Sequence, residues 1–453
     1  MTQDPAALLA AHVAGATFAY LPAATVAATK RDLLDTLGCA LGGSGAPGIA
    51  ELLKLYRRWA GREEAGLPLV GGRMPAPQAA FIHGAMAHAL DYDDTLDHGG
   101  SIHPGASILG AVLATVDMLG AVPGREMVLA AALGLDVSCR IALAATLDRG
   151  WHRTSAIGVF GAAMAAGKLL RLSASQLHHA LGIAFSQAAG NRQCIVDGSL
   201  TKRLQAGQAA SSGVIAALLA ADGFTGADGV FAGKFGFFEL YQPGGYDLAP
   251  LTASLGTTWR GDEVSFKPYP CGRPLHAAID IAIALHESLG LGDTSDGSAI
   301  GTVQFTAGAA VIADYFAGAP QKRRPTQIVE AQFALPFLIA AGLLHGRVGI
   351  DEVAAIDDPA VLALAQRIEG LAGDGTPSLR VIHKDGRRAT LAAGIPLGAP
   401  ANPLSAARLE AKFRDCAAHA VAPVAASAID FTLGFVADLD RQENAQALLQ
   451  ALA

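Results

Sequence analysis

The stretch KPYPCGRPLHAAID, residues 267–280, decides how this chain is divided. It carries three prolines in its first eight residues and then turns helical. Proline removes a backbone donor and drives the preceding residue extended, so the segment reads as a break followed by a helix start. Upstream, apolar residues recur at helical spacing, which predicts helices over 23–41, 79–90, 105–119, 125–145, 155–170, 175–189, 206–221 and 226–240, bounded by Gly, Ser or Asp. Downstream the pattern mixes. A helix is expected over 274–289 and a strand over 300–305, then helices near 328–344 and 359–369. Residues 378–391, SLRVIHKDGRRATL, read as two short strands joined at Asp385-Gly386. NPLSAARLEAKFRDC, residues 402–416, restores a helix with Ser405 as its cap. The expected fold is mainly α: a large helical domain from 1–266 and 400–453, and a smaller α/β (α+β) domain over 267–399.

Composition narrows the function classes. Of 453 residues, 51% are hydrophobic and only 6% aromatic, with 53 glycines, so Ala, Val, Leu and Ile build the core and helices can approach closely. A net charge of −7 gives no reason to expect nucleic acid or an anionic membrane as partner. Five widely spaced cysteines without a CxxC pair suit a reducing compartment and argue against a zinc or disulfide framework. The longest uncharged run, residues 204–221, is interrupted by Gln205, Gln208, Ser211 and Ser212 and reads as a buried helix, not a membrane span. The N-terminal MTQDPAALLAAHVAG lacks a basic region before its apolar residues, which makes a cytoplasmic protein the expectation.

Against this background residues 88–106, HALDYDDTLDHGGSIHPGA, stand out. Asp91, Asp93, Asp94, Asp97, His98 and His103 crowd into a chain whose charged fraction is 16%. Such groups are costly to bury unless paired, so the density marks a functional site or an elaborate capping loop. Asp93-Asp94-Thr95-Leu96-Asp97 also fits DDxxD, the magnesium-binding pattern of helical terpenoid synthases. That reading lacks a second metal motif and the aromatics of a carbocation pocket.

Four further residues share one local setting. His103, His152 in RGWHRTS and Lys202 in GSLTKRL each precede an expected helix, and His276 lies in the first turn of another. Helix N-termini offer unsatisfied N–H groups and a positive dipole end, which suits a small polyanion if the ends converge. Arg192, Lys202, Arg203, Lys267 and Arg273 add cations to an acidic chain. Proton abstraction beside a carboxylate needs such groups, because negative charge grows on the substrate while an imidazole or amine moves the proton. His83, His88, His178, His179 and His286 read as structural, and Lys322-Arg323-Arg324 as an exposed face.

Taken in order, HALDYDDT, HPGAS, GWHRTSAIGVFGAAMAAGKLL, TKRLQAGQAASSGVIAALLAADGFTG, FKPYPCGRPLHAAID, EAQFALPF and NPLSAARLEAKFR resemble the MmgE/PrpD family over nearly the whole chain. That family includes 2-methylcitrate dehydratase, cis-aconitate decarboxylase and iminodisuccinate epimerase. The resemblance implies a helical domain with a smaller α/β lid domain, a homodimer, and catalysis without metal or organic cofactor. Its site pattern falls on Asp91, Thr95, His103, His152, Lys202 and Lys267, with His276 in the following motif. His98, Arg192, Arg203 and Arg273 are expected at the substrate. LDHGGSI lengthens the usual gap between the DDT triplet and the histidine-proline pair, leaving His98 and His103 as rivals for one catalytic place. EAQFALPF carries Phe337 where the family often has a tyrosine that serves the decarboxylase site. The expected activity is a lyase eliminating water from a small hydroxy di- or tricarboxylate, such as 2-methylcitrate. An epimerase of a substituted dicarboxylate and a cis-aconitate-type decarboxylase are the alternatives, and a non-catalytic polycarboxylate-binding protein is the reading from another class.

Overall fold

Small residues govern how closely the helices pack. In the computed structural model, which describes residues 4–68, 70–99, 101–291 and 297–452, the helices Ala76–Ala87, Pro104–Leu119, Gly158–Leu169 and Thr201–Ala221 pack on one another. A Cβ on Gly207 would lie 2.4 Å from the Phe81 carbonyl oxygen, and one on Gly110 would lie 2.6 Å from that of Ala80. The glycines thus let backbones meet where a side chain would hold them apart.

The chain forms two compact units. The first comprises Met1–Cys194, Leu200–Phe266 and Ser405–Ala453, and the second Ile195–Ser199 with Lys267–Leu404. In the first, the helices Ala23–Gly43 and Gly124–Ala144 flank the central group, and the C-terminal helix Ala406–Ala418 packs on Ala23–Gly43. Two buried cations fasten these pieces. Arg140 places Nε 2.7 Å from Asp136 and donates to the carbonyls of Ala253 and Thr258 at 2.7 and 2.6 Å. Lys412 donates to Asp35 at 2.6 Å and to the Tyr92 carbonyl at 2.7 Å, with its ammonium 4.0 Å from the Tyr92 ring centroid. Both side chains are hydrogen-bonded to an acid and to carbonyls, which makes their burial tolerable.

The second unit sets a four-stranded sheet against helices. Its order is Ile368–Ala372, Ile300–Ala307, Ser378–His383, Arg388–Ala392, with the first pair parallel and the others antiparallel. Val303, Phe305, Leu379 and Val381 lie in one buried core with side chains of the helices His276–Leu289 and Leu335–His345. Two helices, Gly124–Ala144 and Thr201–Ala221, are long and apolar enough to cross a membrane, and 94% and 67% of their apolar windows are buried inside the protein.

Three expectations are corrected. Residues 226–240 form turns with a short helix only at Phe237–Tyr241, because Gly226, Gly229, Gly233 and Gly236 each weaken a helix by about 1 kcal/mol. The helix expected to reach 369 ends at Arg367, and Ile368–Ala372 becomes an edge strand. The helix expected near 328–344 is split into Ile328–Ala331 and Leu335–His345, Pro336 lying at the start of the second. Substituting Gly207→Ala forces a methyl against a backbone carbonyl that cannot rotate away, so urea denaturation will show a loss of about 1–3 kcal/mol. Gly15→Ala, which meets nothing within 4 Å, will change stability by less than about 0.5 kcal/mol.

Candidate active site

Residues 88–97 leave the helix Ala76–Ala87 and turn inward. Asp91 adopts φ of +52°, a left-handed conformation that aspartate tolerates better than most residues. Thr95 is fixed by paired backbone hydrogen bonds with Ser265, at 2.9 and 2.7 Å. His88, Asp91, Asp93, Asp94 and Thr95 are all buried. Their partners therefore decide what they do.

The three aspartates of the DDxxD pattern diverge. Asp93 Oδ2 sits 2.7 Å from His88 Nδ1, Asp94 accepts the Gly105 N–H on both oxygens at 3.0 and 3.1 Å, and Asp97 accepts the Ser265 hydroxyl at 2.6 Å. They do not form one coordinating face, which removes the terpenoid reading. Asp94 also occupies the positive end of the helix Pro104–Leu119, so that N-terminus already serves the protein's own carboxylate.

Three imidazoles and one ammonium gather beside this loop. The His88 ring centroid is 5.2 Å from that of His103 and 5.4 Å from that of His152. Lys202 Nζ is 2.8 Å from His88 Nε2 and 3.3 Å from Asp91 Oδ1. Asp91, Asp93 and His103 bring ligand atoms within 4.8 Å of one another, an arrangement able to hold a cation, and the Lys202 ammonium supplies positive charge at that place.

The hydrogen bonds of His103 define its tautomer. Nδ1 is 2.6 Å from the Asp94 carbonyl oxygen, which can only accept, so Nδ1 carries the hydrogen and Nε2 the lone pair of the neutral ring. Its backbone N–H donates to the Thr154 hydroxyl at 3.1 Å, which fixes the ring's starting point. His152 is 5% exposed, and neither ring nitrogen has a hydrogen-bond partner among the described residues. Burial above all, with the nearby Lys202 ammonium adding to it, holds its pKa well below the usual 6.5, so the ring is neutral at neutral pH.

The remaining expected residues lie elsewhere. His98 is exposed and paired with Glu263 at 2.8 Å, whereas its rival His103 is in the cluster. Arg192 is half-buried and paired with Asp148. Arg203 is buried and donates to the Pro47 carbonyl at 2.8 Å. Lys267 is buried at the start of the second unit. In that unit Arg273 donates to the Leu397 carbonyl at 2.8 Å and lies 3.3 Å from His276 Nδ1, whose Nε2 is 3.3 Å from the Cys271 carbonyl. Sequence reading missed His88 as a member of the cluster, and with it Thr154 and Asp32, and singled out Asp93 only within the acidic stretch and the DDxxD pattern. Gly100, inside LDHGGSI, lies outside the described residues.

This arrangement has family counterparts. Residues 7–248 match the MmgE/PrpD N-terminal domain and residues 269–431 the MmgE/PrpD C-terminal domain. The chain belongs to the MmgE/PrpD family and is an enzyme of that type. It is 26% identical to a cis-aconitate decarboxylase of Homo sapiens, over 98% of this chain and 93% of the relative. It is 25% identical to a cis-aconitate decarboxylase of Aspergillus terreus, over 95% and 92%. A cis-aconitate decarboxylase-like protein oryM of Aspergillus oryzae is 28% identical over 77% and 75%.

One buried acid gives a pH test. Asp32 hydrogen-bonds Asp94, and burial, with repulsion from Asp35 and Asp93 outweighing Lys412, raises its pKa from 3.8 to about 7. The folded protein holds that proton more tightly than the unfolded chain. Its contribution is therefore complete below about pH 4 and is lost as pH rises towards 7. Asp32→Asn, which keeps a donor without ionising, will gain stability relative to the native protein between pH 5 and pH 8, read by urea denaturation at both pH values. An equal difference at the two would show that Asp32 does not titrate there.

Proposed function

We propose that this protein is a lyase acting on a small di- or tricarboxylate, moving a proton at a carbon next to a carboxylate. The observation that carries this reading is the cluster of His103, His152 and Lys202, in which a buried neutral His152 and the half-buried His103 with its Nδ1 held on a carbonyl lie beside one ammonium. A neutral imidazole can take a carbon-bound proton, and an ammonium opposes the charge that then builds on the enolate-like intermediate. His103 Nε2 or His152 serves as the base, and Lys202 pairs with a substrate carboxylate. Asp91 and Thr95 position these groups, and Lys267 joins them through the family pattern alone.

Elimination of water from a hydroxy polycarboxylate is the leading form of the reaction. Removal of the proton and departure of the hydroxyl, protonated as it leaves, convert the substrate to an alkene and water. A second form, loss of carbon dioxide from a cis-aconitate-like tricarboxylate, is favoured by the names of the relatives. Carbon then takes a proton where the carboxylate left, and the Lys202 ammonium is the group of the cluster that carries one to give. Phe337 weighs against this second form, because it is fully buried in the apolar core of the second unit and offers no hydroxyl.

Incubation with citrate, 2-methylcitrate, cis-aconitate and substituted succinates, followed by proton NMR, separates the forms. A new alkene with the carbon count unchanged means dehydration, and evolved carbon dioxide means decarboxylation. An inverted centre with all atoms retained means epimerisation. His152→Ala and Lys202→Met will each lower turnover by about 10²–10⁴-fold. Unchanged turnover in both variants would contradict the assignment.

A further inference from the structure

The sequence gives His88 no distinction, yet the structure places it between an acid and an amine. Asp93 Oδ2 is 2.7 Å from Nδ1, and Lys202 Nζ is 2.8 Å from Nε2. The Asp93 and His88 side chains are inaccessible to solvent and that of Lys202 is 6% exposed. We propose that Asp93 and His88 are positioning residues that hold the Lys202 amine for proton transfer to and from substrate, a role built from the juxtaposition of Asp93, His88 and Lys202.

With the His88 ring neutral, donor and acceptor chemistry fixes the direction of every link. An ionised carboxylate only accepts, so His88 Nδ1 carries the hydrogen. The neutral ring then presents a lone pair at Nε2, and Lys202 must donate to it. A second ammonium hydrogen is directed at Asp91 Oδ1, 3.3 Å away. With two of three tetrahedral N–H directions set, the third is set as well. A lysine on a flexible four-carbon stem thereby acquires one orientation, which lets the ammonium that pairs with a substrate carboxylate also pass a proton to the substrate. When Lys202 gives its proton to a substrate atom it becomes a neutral amine, and when it recovers that proton it is again the ammonium. His88 stays neutral throughout, and Asp93 keeps its tautomer.

The inference deepens the lyase reading in its kinetic part, while its structural part stands alone. Histidine-¹⁵N-labelled protein tests the structural part by NMR, with the His88 signals identified by their loss in His88→Gln. The expected result is a neutral ring protonated at Nδ1, whose Nε2 resonance moves in Lys202→Met. The other twelve of the 13 histidines report whether the fold is intact, and Lys202→Gln replaces Lys202→Met should that variant not fold. A ring protonated at Nε2, or a resonance indifferent to both Lys202 variants, overturns the proposal.

The kinetic part uses whichever polycarboxylate of the panel is turned over. Asp93→Asn keeps the shape and removes the charge. It is expected to lower kcat about 100-fold with KM within about threefold and the melting temperature unchanged. His88→Gln, which retains an acceptor for Lys202, is expected to recover activity relative to His88→Leu. A raised KM with unchanged kcat in Asp93→Asn, or equal losses in the two His88 variants, overturns the proton-transfer role. If no polycarboxylate is turned over, the lyase reading falls and the NMR result alone decides whether the relay exists.

Discussion

The structure of the first unit turns on one constraint: His88, Asp91, Asp93 and Asp94 are buried, so each needs a partner of its own. Asp94 meets this by taking the Gly105 N–H at the start of the helix Pro104–Leu119 while its backbone carbonyl receives the His103 ring. One residue thus starts a helix and sets an imidazole tautomer. Asp93 turns the other way, to His88 and through it to Lys202. Lys412 closes the rear by donating to the carbonyl of Tyr92 and to Asp35. Removing one member of such a network leaves a buried charge uncompensated, which costs more than the pair contributes.

Close helix packing makes that burial possible. The Ala- and Gly-rich helices bring Thr154, His103, His88 and Lys202 together although they come from distant parts of the chain. Larger side chains at Gly84, Gly110 and Gly207 would meet neighbouring backbone atoms. The scarcity of aromatics, which in the sequence already pointed to close helix approach, is the condition for a polar cluster inside a helical body.

Much of this was legible in the sequence, and the losses have physical causes. Helical period and proline breaks located the main helices of the first unit, and the Asp385-Gly386 turn located the hairpin of the second. The density of charge at 88–106 marked the cluster. What escaped was direction. Asp93 and Asp94 are adjacent and chemically identical, yet one serves an imidazole and the other a helix end, a difference set by φ and ψ and not by composition. His88 looked like an ordinary helix-end histidine because its second partner, Lys202, is 114 positions away. Its position five residues before Asp93, amid such acid density, was the one available signal. The strand Ile368–Ala372 escaped because its pairing with Ile300–Ala307 is long-range.

The chemistry follows from protonation states that the fold imposes. His152 is kept neutral by burial, and His103 has its basic nitrogen chosen by the carbonyl at the other. Both dehydration and decarboxylation of a polycarboxylate use these states: dehydration takes a hydrogen from carbon, and its reversal, or a decarboxylation, puts a solvent hydrogen there. The most direct measurement is therefore deuterium incorporation, by NMR, at carbon adjacent to a carboxylate when the enzyme turns over a polycarboxylate in D₂O. The account predicts deuterium at that carbon with the native protein and none with a His103→Gln, His152→Ala double variant. Decarboxylation, or dehydration carried to equilibrium with its reverse, that leaves both substrate and product free of deuterium would contradict it.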